Sequence, residues 1–225
     1  MRRGARPPAV VLFARAARPG RVKTRLEPAL GRAGALRLHR ALVADSRDLL
    51  RTAARRCGAR ALVAWTGRPP RAGALTQGQG DLGARLRRVV HRLLRAGHPA
   101  VVVIGSDSPT LPPATIARAV RRLARGADLV LGPATDGGYY LIGLRSDQPA
   151  LFSGMPWGGA RLCARTLRRA ARLGLVTERL PLFWDVDRPA DLARLRRALR
   201  GRKARRAPRT AALLRAARRG GALGS

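Results

Sequence analysis

Glutamate is nearly missing from this chain, and so is lysine. The 225 residues hold two glutamates and ten aspartates against 47 basic side chains, and only Lys23 and Lys203 of these are lysines. The formal net charge is +35, so attraction to polyanions comes with the composition. Aromatic side chains, which stack on bases, make up only 4% of the residues, and the arginines are spread along every expected helix. That combination argues for incidental, salt-sensitive sticking and against a specific nucleic-acid partner. Cysteine is scarce too. Cys57 and Cys163 lie far apart and form no C-x-x-C, which excludes a disulfide framework and a zinc signature. A reducing, cytoplasmic location fits this usage. The three histidines, His39, His91 and His98, are scattered and suggest neither a zinc site nor a Ser-His-Asp arrangement. No run approaches the ~20 apolar residues of a membrane span. The early run Ala9 to Ala14 is cut by Arg15, which makes it too short for a signal-peptide core.

Acids this rare are informative by position. Asp107, Asp136, Asp185 and Asp187 all fall at expected strand ends or turns rather than on helix faces. The chain is organised around residues 99–144. Ala100 to Ile104 is a short, β-branched apolar run closing on Gly105-Ser106-Asp107-Ser108-Pro109, the pattern of a strand buried on both faces of a parallel sheet. A strand ending this way delivers a carboxylate to the crevice where open α/β sheets bind ligands. A second strand, Asp128 to Gly132, ends in Pro133-Ala134-Thr135-Asp136-Gly137-Gly138-Tyr139-Tyr140. On this reading Asp107 and Asp136 leave neighbouring strand ends and face one crevice.

The remaining chain alternates strands and amphipathic helices. Pro8 to Ala14 reads as the first strand, Arg60 to Thr66 as another and Leu175 to Leu182 as a late one. Helices are expected over Ala33–Arg56, Leu82–Ala96, from near Pro112, over Arg161–Leu173 and over Ala190–Leu199. The first strand runs into the loop Arg15 to Leu26, whose Pro-Gly turn and cations suit phosphate contact. It is not a Walker loop. Residues 78–83 formally match G-x-G-x-x-G, but they do not directly follow a strand and carry no later acid at the required distance. They read better as a helix start, with Asp81 near the N-cap and backbone N–H groups available to a ligand. Asp185 and Asp187 project from the same side of an extended segment, and two carboxylates so placed call for a cation such as Mg²⁺ or Mn²⁺. Asp45 and Asp48 are expected to cap or to pair with arginine. Residues 1–8 read as a flexible N-terminus, 9–199 as one domain, and 200–225 as a basic, disordered tail.

The motifs F-x-(K/R)-x-x-x-P-G-x-V-K-T-R-L at 13–26, Q-x-x-G-D-L-G-x-R-L at 77–86, G-S-D-x-P at 105–109, G-P-A-x-D-G-G-Y-Y-L-I-G-L at 132–144 and D-V-D-x-x-x-D-L at 185–192 occur in this order. Together they resemble the DUF2064 family of glycosyltransferase-like proteins. The resemblance implies a GT-A, nucleotide-diphospho-sugar transferase-like fold: a three-layer α/β/α sandwich with a mostly parallel sheet. It further implies that Lys23 and Arg25 hold the nucleotide diphosphate and that Asp107 binds Mg²⁺ or Mn²⁺ with Asp187 as the second carboxylate. Beside these, Arg15, Gly80 and Asp81 are expected at the nucleotide, and Asp107 and Asp136 in catalysis. Gly137, Gly138, Tyr139 and Trp157 would line the acceptor or sugar pocket. Arg15 stands where lysine is usual, Ser108 where cysteine is common, Gly158-Gly159 where a Ser-Thr-like pair is common, and Arg188 where threonine is common. The expected activity is transfer of a sugar from a nucleotide diphosphate sugar to a small acceptor. The alternatives are nucleotidyl transfer from a nucleoside triphosphate and, in another class, non-catalytic polyanion binding.

Overall fold

The computed structural model describes residues 6–67, 69 and 74–219. Seven strands form one sheet in the order β3-β2-β1-β4-β6-β5-β7. They are β1 (Ala9–Arg15), β2 (Arg60–Thr66), β3 (Leu75–Thr76), β4 (Val101–Ile104), β5 (Leu129–Pro133), β6 (Tyr139–Leu144) and β7 (Thr177–Arg179). All neighbouring pairs are parallel except the two that β6 makes, with β4 and with β5. The mostly parallel α/β sandwich expected from the sequence is therefore present. The neighbouring of β4 and β5 is not: the antiparallel strand β6 separates them. The late strand is also shorter than the expected Leu175 to Leu182.

Successive residues of β1 feed opposite faces, as the two-residue period of a strand requires. Val10 and Leu12 join one core with Leu49, Leu50 and Ala53 of α1 (Glu27–Arg56) and Ile116, Val120 and Leu123 of α3 (Pro113–Ala124). Ala9 and Val11 join the other, against Leu86, Val89 and Leu93 of α2 (Leu82–Arg95) and Cys163 and Ala170 of α4 (Leu162–Arg172). Three layers follow from this alternation. Gly31, at φ 66° and ψ 166°, is not helical and parts a first turn at Glu27 to Leu30 from the long run of α1, which begins beside the expected Ala33.

A third core lies beyond the sheet. It joins Leu38 and Leu42 of α1, Trp184 and Val186, Leu192 and Leu195 of α5 (Pro189–Ala198), and Ala211 and Leu214 of α6 (Pro208–Arg219). Residues 201–219 are thus folded, correcting the expectation of a disordered tail from 200; residues 220–225 lie outside the described part. Asp45 explains the packing. Its carboxylate is fully buried and accepts from the backbone N–H groups of Arg209 (3.2 Å) and Thr210 (2.8 Å), which caps the start of α6. Arg209 also pairs with Asp48. At the other terminus, the Pro7 and Pro8 carbonyls accept from His98 Nδ1 (2.6 Å) and the Arg60 N–H (2.7 Å), so these two residues of the expected flexible segment are tied to the sheet; residues 1–5 are not described. Among the described residues no helix is long and apolar enough to cross a membrane.

Candidate active site

The C-terminal ends of β1, β2 and β4 open onto a cleft of about 420 Å³. The loop after β1 folds back across it, and Lys23 is the residue that fixes the fold-back. Its backbone is left-handed (φ 50°, ψ 35°), unlike every other described non-glycine residue. Such a conformation costs about 1–3 kcal/mol and persists where surrounding contacts over-determine it. Those contacts are ionic. The Lys23 ammonium lies 2.8 Å from Asp107 Oδ1 and 3.9 Å from Asp187 Oδ1, and donates to the Val186 carbonyl at 2.5 Å. Its side chain is 5% exposed, whereas those of Asp107 and Asp187 are 40% and 44% exposed. Arg25 donates to the second oxygen of Asp187 at 2.5 Å. A Val186 N–H bond to the Asp107 carbonyl (2.9 Å) binds the two acid-bearing loops together.

Asp185, two residues before Asp187, meets a different partner. It accepts from the Ser108 hydroxyl. Burial pushes its carboxyl up to about 6, with help from the negative charges of Asp107 and Asp136 and against the Ser108 bond and Lys23. His39, from α1, also lines the cleft. Its Nε2 lies 2.9 Å from the Arg15 carbonyl, so that nitrogen carries the hydrogen. Burial holds its pKa below the ordinary imidazole value, against the Arg15 hydrogen bond and the Asp107 charge.

Of the residues expected from sequence, the cleft brings together Arg15, Lys23, Arg25, Asp107 and Asp187. The others sit around it. Asp136 is exposed in the β5–β6 turn, with one oxygen accepting from the Gly138 N–H at 2.9 Å. It is not among the residues lining the cleft, yet the β5–β6 turn lies at the same end of the sheet as Asp107, and the charges of both act on Asp185. Asp81 is the N-cap of α2, accepting from the Ala84 N–H at 2.8 Å, with Gly80 at positive φ before it. Gly137 meets a packing demand: a Cβ there would fall 1.7 Å from the Ala160 carbonyl oxygen. Tyr139 and Trp157 meet edge to face at 6.4 Å between ring centroids. Trp157 also stacks on Phe152 and occupies the space that a side chain at Gly83 would need. Burial raises the pKa of the Tyr139 hydroxyl, which has no hydrogen-bond partner among the described residues.

Three cleft residues escaped sequence reasoning. Gln77 donates its amide to the Ala14 (3.2 Å) and Ala64 (2.8 Å) carbonyls and so ties the ends of β1 and β2. His39 carried no local motif. Arg85 did carry a signal, as the arginine of the 77–86 motif, and it stands in the cleft wall with a buried, unpartnered Nε. An orphaned buried donor costs about 1–3 kcal/mol.

Asp107 and Asp187 suit a divalent cation, because both already converge on a positive group. No cluster of three or more His, Cys, Asp or Glu exists among the described residues. Two carboxylates are nonetheless what Mg²⁺ commonly takes from protein, with waters and substrate phosphates completing its shell.

The sequence profile of an uncharacterised protein family conserved in bacteria, DUF2064, matches residues 36–159. The chain belongs to the DUF2064 family. A crystal structure from Desulfovibrio desulfuricans G20, provisionally named a nucleotide-diphospho-sugar transferase, is 31% identical and superposes with a TM-score of 0.84, covering 94% of this chain and 95% of that one. This DUF2064 chain also shares its fold with a CMP:2-keto-3-deoxy-manno-octonic acid synthetase solved with CTP (13% identity, TM-score 0.52, covering 86% and 98%). A third relative in fold is Rv0371c of Mycobacterium tuberculosis H37Rv, solved with manganese (19% identity, TM-score 0.51, covering 84% and 97%). No curated protein matches the chain. Its fold is that of the nucleotide-diphospho-sugar transferases.

Proposed function

We propose that this DUF2064 protein is a metal-dependent transferase that moves a sugar from a nucleotide diphosphate sugar to a small acceptor. The observation that carries the reading is the Lys23–Asp107–Asp187–Arg25 cluster at the strand ends of a fold shared with nucleotide-diphospho-sugar transferases. Asp107 and Asp187 hold Mg²⁺ or Mn²⁺, which supplies neutralisation of the leaving diphosphate. Lys23 and Arg25 add fixed positive charge where the glycosidic C–O bond breaks and the diphosphate departs. The acceptor oxygen attacks the anomeric carbon, and its proton passes to the exposed carboxylate of Asp136, one oxygen of which is fixed by the Gly138 N–H in the β5–β6 turn. Gly80, Asp81 and Arg15 border the nucleotide, while Gly137, Gly138, Tyr139 and Trp157 border the acceptor.

The excess of cations in the cleft favours a second reading. Arg15, Arg21, Lys23, Arg25 and Arg85 face only two carboxylates there, which suits a nucleoside triphosphate as well. In that case an acceptor oxygen attacks the α-phosphorus and pyrophosphate leaves. Incubation with radiolabelled nucleotide sugars and triphosphates separates the readings. Release of nucleoside diphosphate supports sugar transfer, and release of pyrophosphate supports nucleotidyl transfer. Metal-independent binding of every polyanion, unchanged in Asp107→Ala, leaves only the non-catalytic alternative.

A further inference from the structure

The cleft wall supplied by the start of α2 carries a guanidinium without an ion-pair partner among the described residues. Arg85 lines the cavity, its Nε is buried without a hydrogen-bond partner, and it belongs to no ion pair among the described residues. Its neighbours are better provided for. Lys23 and Arg25 are matched to Asp107 and Asp187, and the Arg15 side chain donates to the Arg21 carbonyl at 3.1 Å. Charge bookkeeping sharpens the contrast. A divalent ion balances the two carboxylates, and a diphosphate balances Lys23 and Arg25. Arg15, Arg21 and Arg85 are then still uncompensated, and of these three Arg85 is the one with a buried donor that has no partner among the described residues, in a setting that has already removed water from part of its donor set. A fork of donors so placed matches a two-oxygen acceptor.

We propose that Arg85 forms a second anion subsite, which takes a phosphoryl or carboxylate group other than the diphosphate held at Lys23 and Arg25. This deepens the transferase reading, on which the diphosphate's place rests. Two sources have this chemistry: the terminal phosphoryl group of a nucleoside triphosphate, or an anionic group on the acceptor.

The test is titration with inorganic phosphate at constant ionic strength, read by thermal unfolding, on wild type, Arg85→Gln and Arg85→Lys. Each protein is titrated alone and with saturating nucleoside diphosphate and Mg²⁺. Wild type takes up phosphate saturably in both conditions. Arg85→Gln binds it at least tenfold more weakly, and Arg85→Lys recovers part of the loss. The ligand-free Arg85→Gln protein unfolds no earlier than wild type, because the substitution removes an unmatched buried donor. Phosphate binding that survives a triphosphate assigns the subsite to the acceptor, and binding abolished by a triphosphate but not by a diphosphate assigns it to the terminal phosphoryl group. Equal phosphate affinity in wild type and Arg85→Gln overturns the proposal, as does an Arg85→Gln protein that is less stable yet binds phosphate normally. If nucleotides fail to bind at all, the transferase reading fails, and the titration of the protein alone still decides the role of Arg85.

Discussion

Two clusters in this molecule are built from the same parts and put to different uses. Asp45 and Asp48 meet Arg209 and Arg51, while Asp107 and Asp187 meet Lys23 and Arg25. In the first cluster the Asp45 carboxylate is fully buried and both its oxygens are taken by the start of α6. In the second the cation is the buried member, and both carboxylates remain open to the cleft. A carboxylate saturated by backbone donors holds structure together. A carboxylate pair that faces an opening and shares one ammonium retains capacity for a ligand. Exposure and saturation, rather than residue type, separate the two.

The largest stability effect falls on the saturated cluster. Asp45→Ala leaves the N–H groups of Arg209 and Thr210 unmatched, and a buried donor stripped of its partner costs about 1–3 kcal/mol. Urea denaturation should show that loss, while nucleotide affinity stays at the wild-type value; a loss below about 1 kcal/mol would mean that the cap contributes no more than an ordinary exposed one. On the open cluster, Lys23→Met removes the ammonium that screens Asp107 from Asp187. Mn²⁺ alone, followed by the resonance of the free ion, should then bind about tenfold more tightly than to wild type, a gain of about 1.4 kcal/mol. Weaker Mn²⁺ binding would show that the two acids do not form a cation site. The smallest effect belongs to His39. Because burial depresses its pKa, the unfolded chain takes up the proton first. Stability is therefore retained above the ordinary imidazole value and lost as pH falls through the folded one. Asp185, whose raised pKa acts in the opposite direction, contributes to wild type and variant alike, so the His39 effect is read as a difference: as pH falls below the ordinary imidazole value, wild type should lose melting temperature relative to His39→Gln; parallel profiles would contradict it.

Much of the open cluster was legible because its residues sit where composition is thin. Lys23 is one of two lysines, and Asp107 follows an all-apolar strand. Less could be read where partners are distant. Asp45 caps a helix more than 160 residues further along the chain, so residues 201–219 looked like a tail when judged by their own charge. Strand β6 was hidden for another reason. Tyr139 to Leu144 is visibly apolar, but strand direction leaves no trace in a hydrophobic pattern, and only the β5–β6 turn sets it antiparallel between β4 and β5. Trp157 fills the space left by Gly83, a partnership with no local sequence signal.

The central claim is that the open cluster binds a nucleotide through a divalent cation and the saturated cluster does not. Calorimetric titration of a nucleoside diphosphate with Mg²⁺ into wild type, Asp107→Asn and Asp45→Asn tests it most directly. The account predicts metal-dependent binding in wild type and in Asp45→Asn, and at least a hundredfold weaker binding in Asp107→Asn, a loss of about 2.7 kcal/mol. Equal affinity in wild type and Asp107→Asn, or binding indifferent to Mg²⁺, would contradict it.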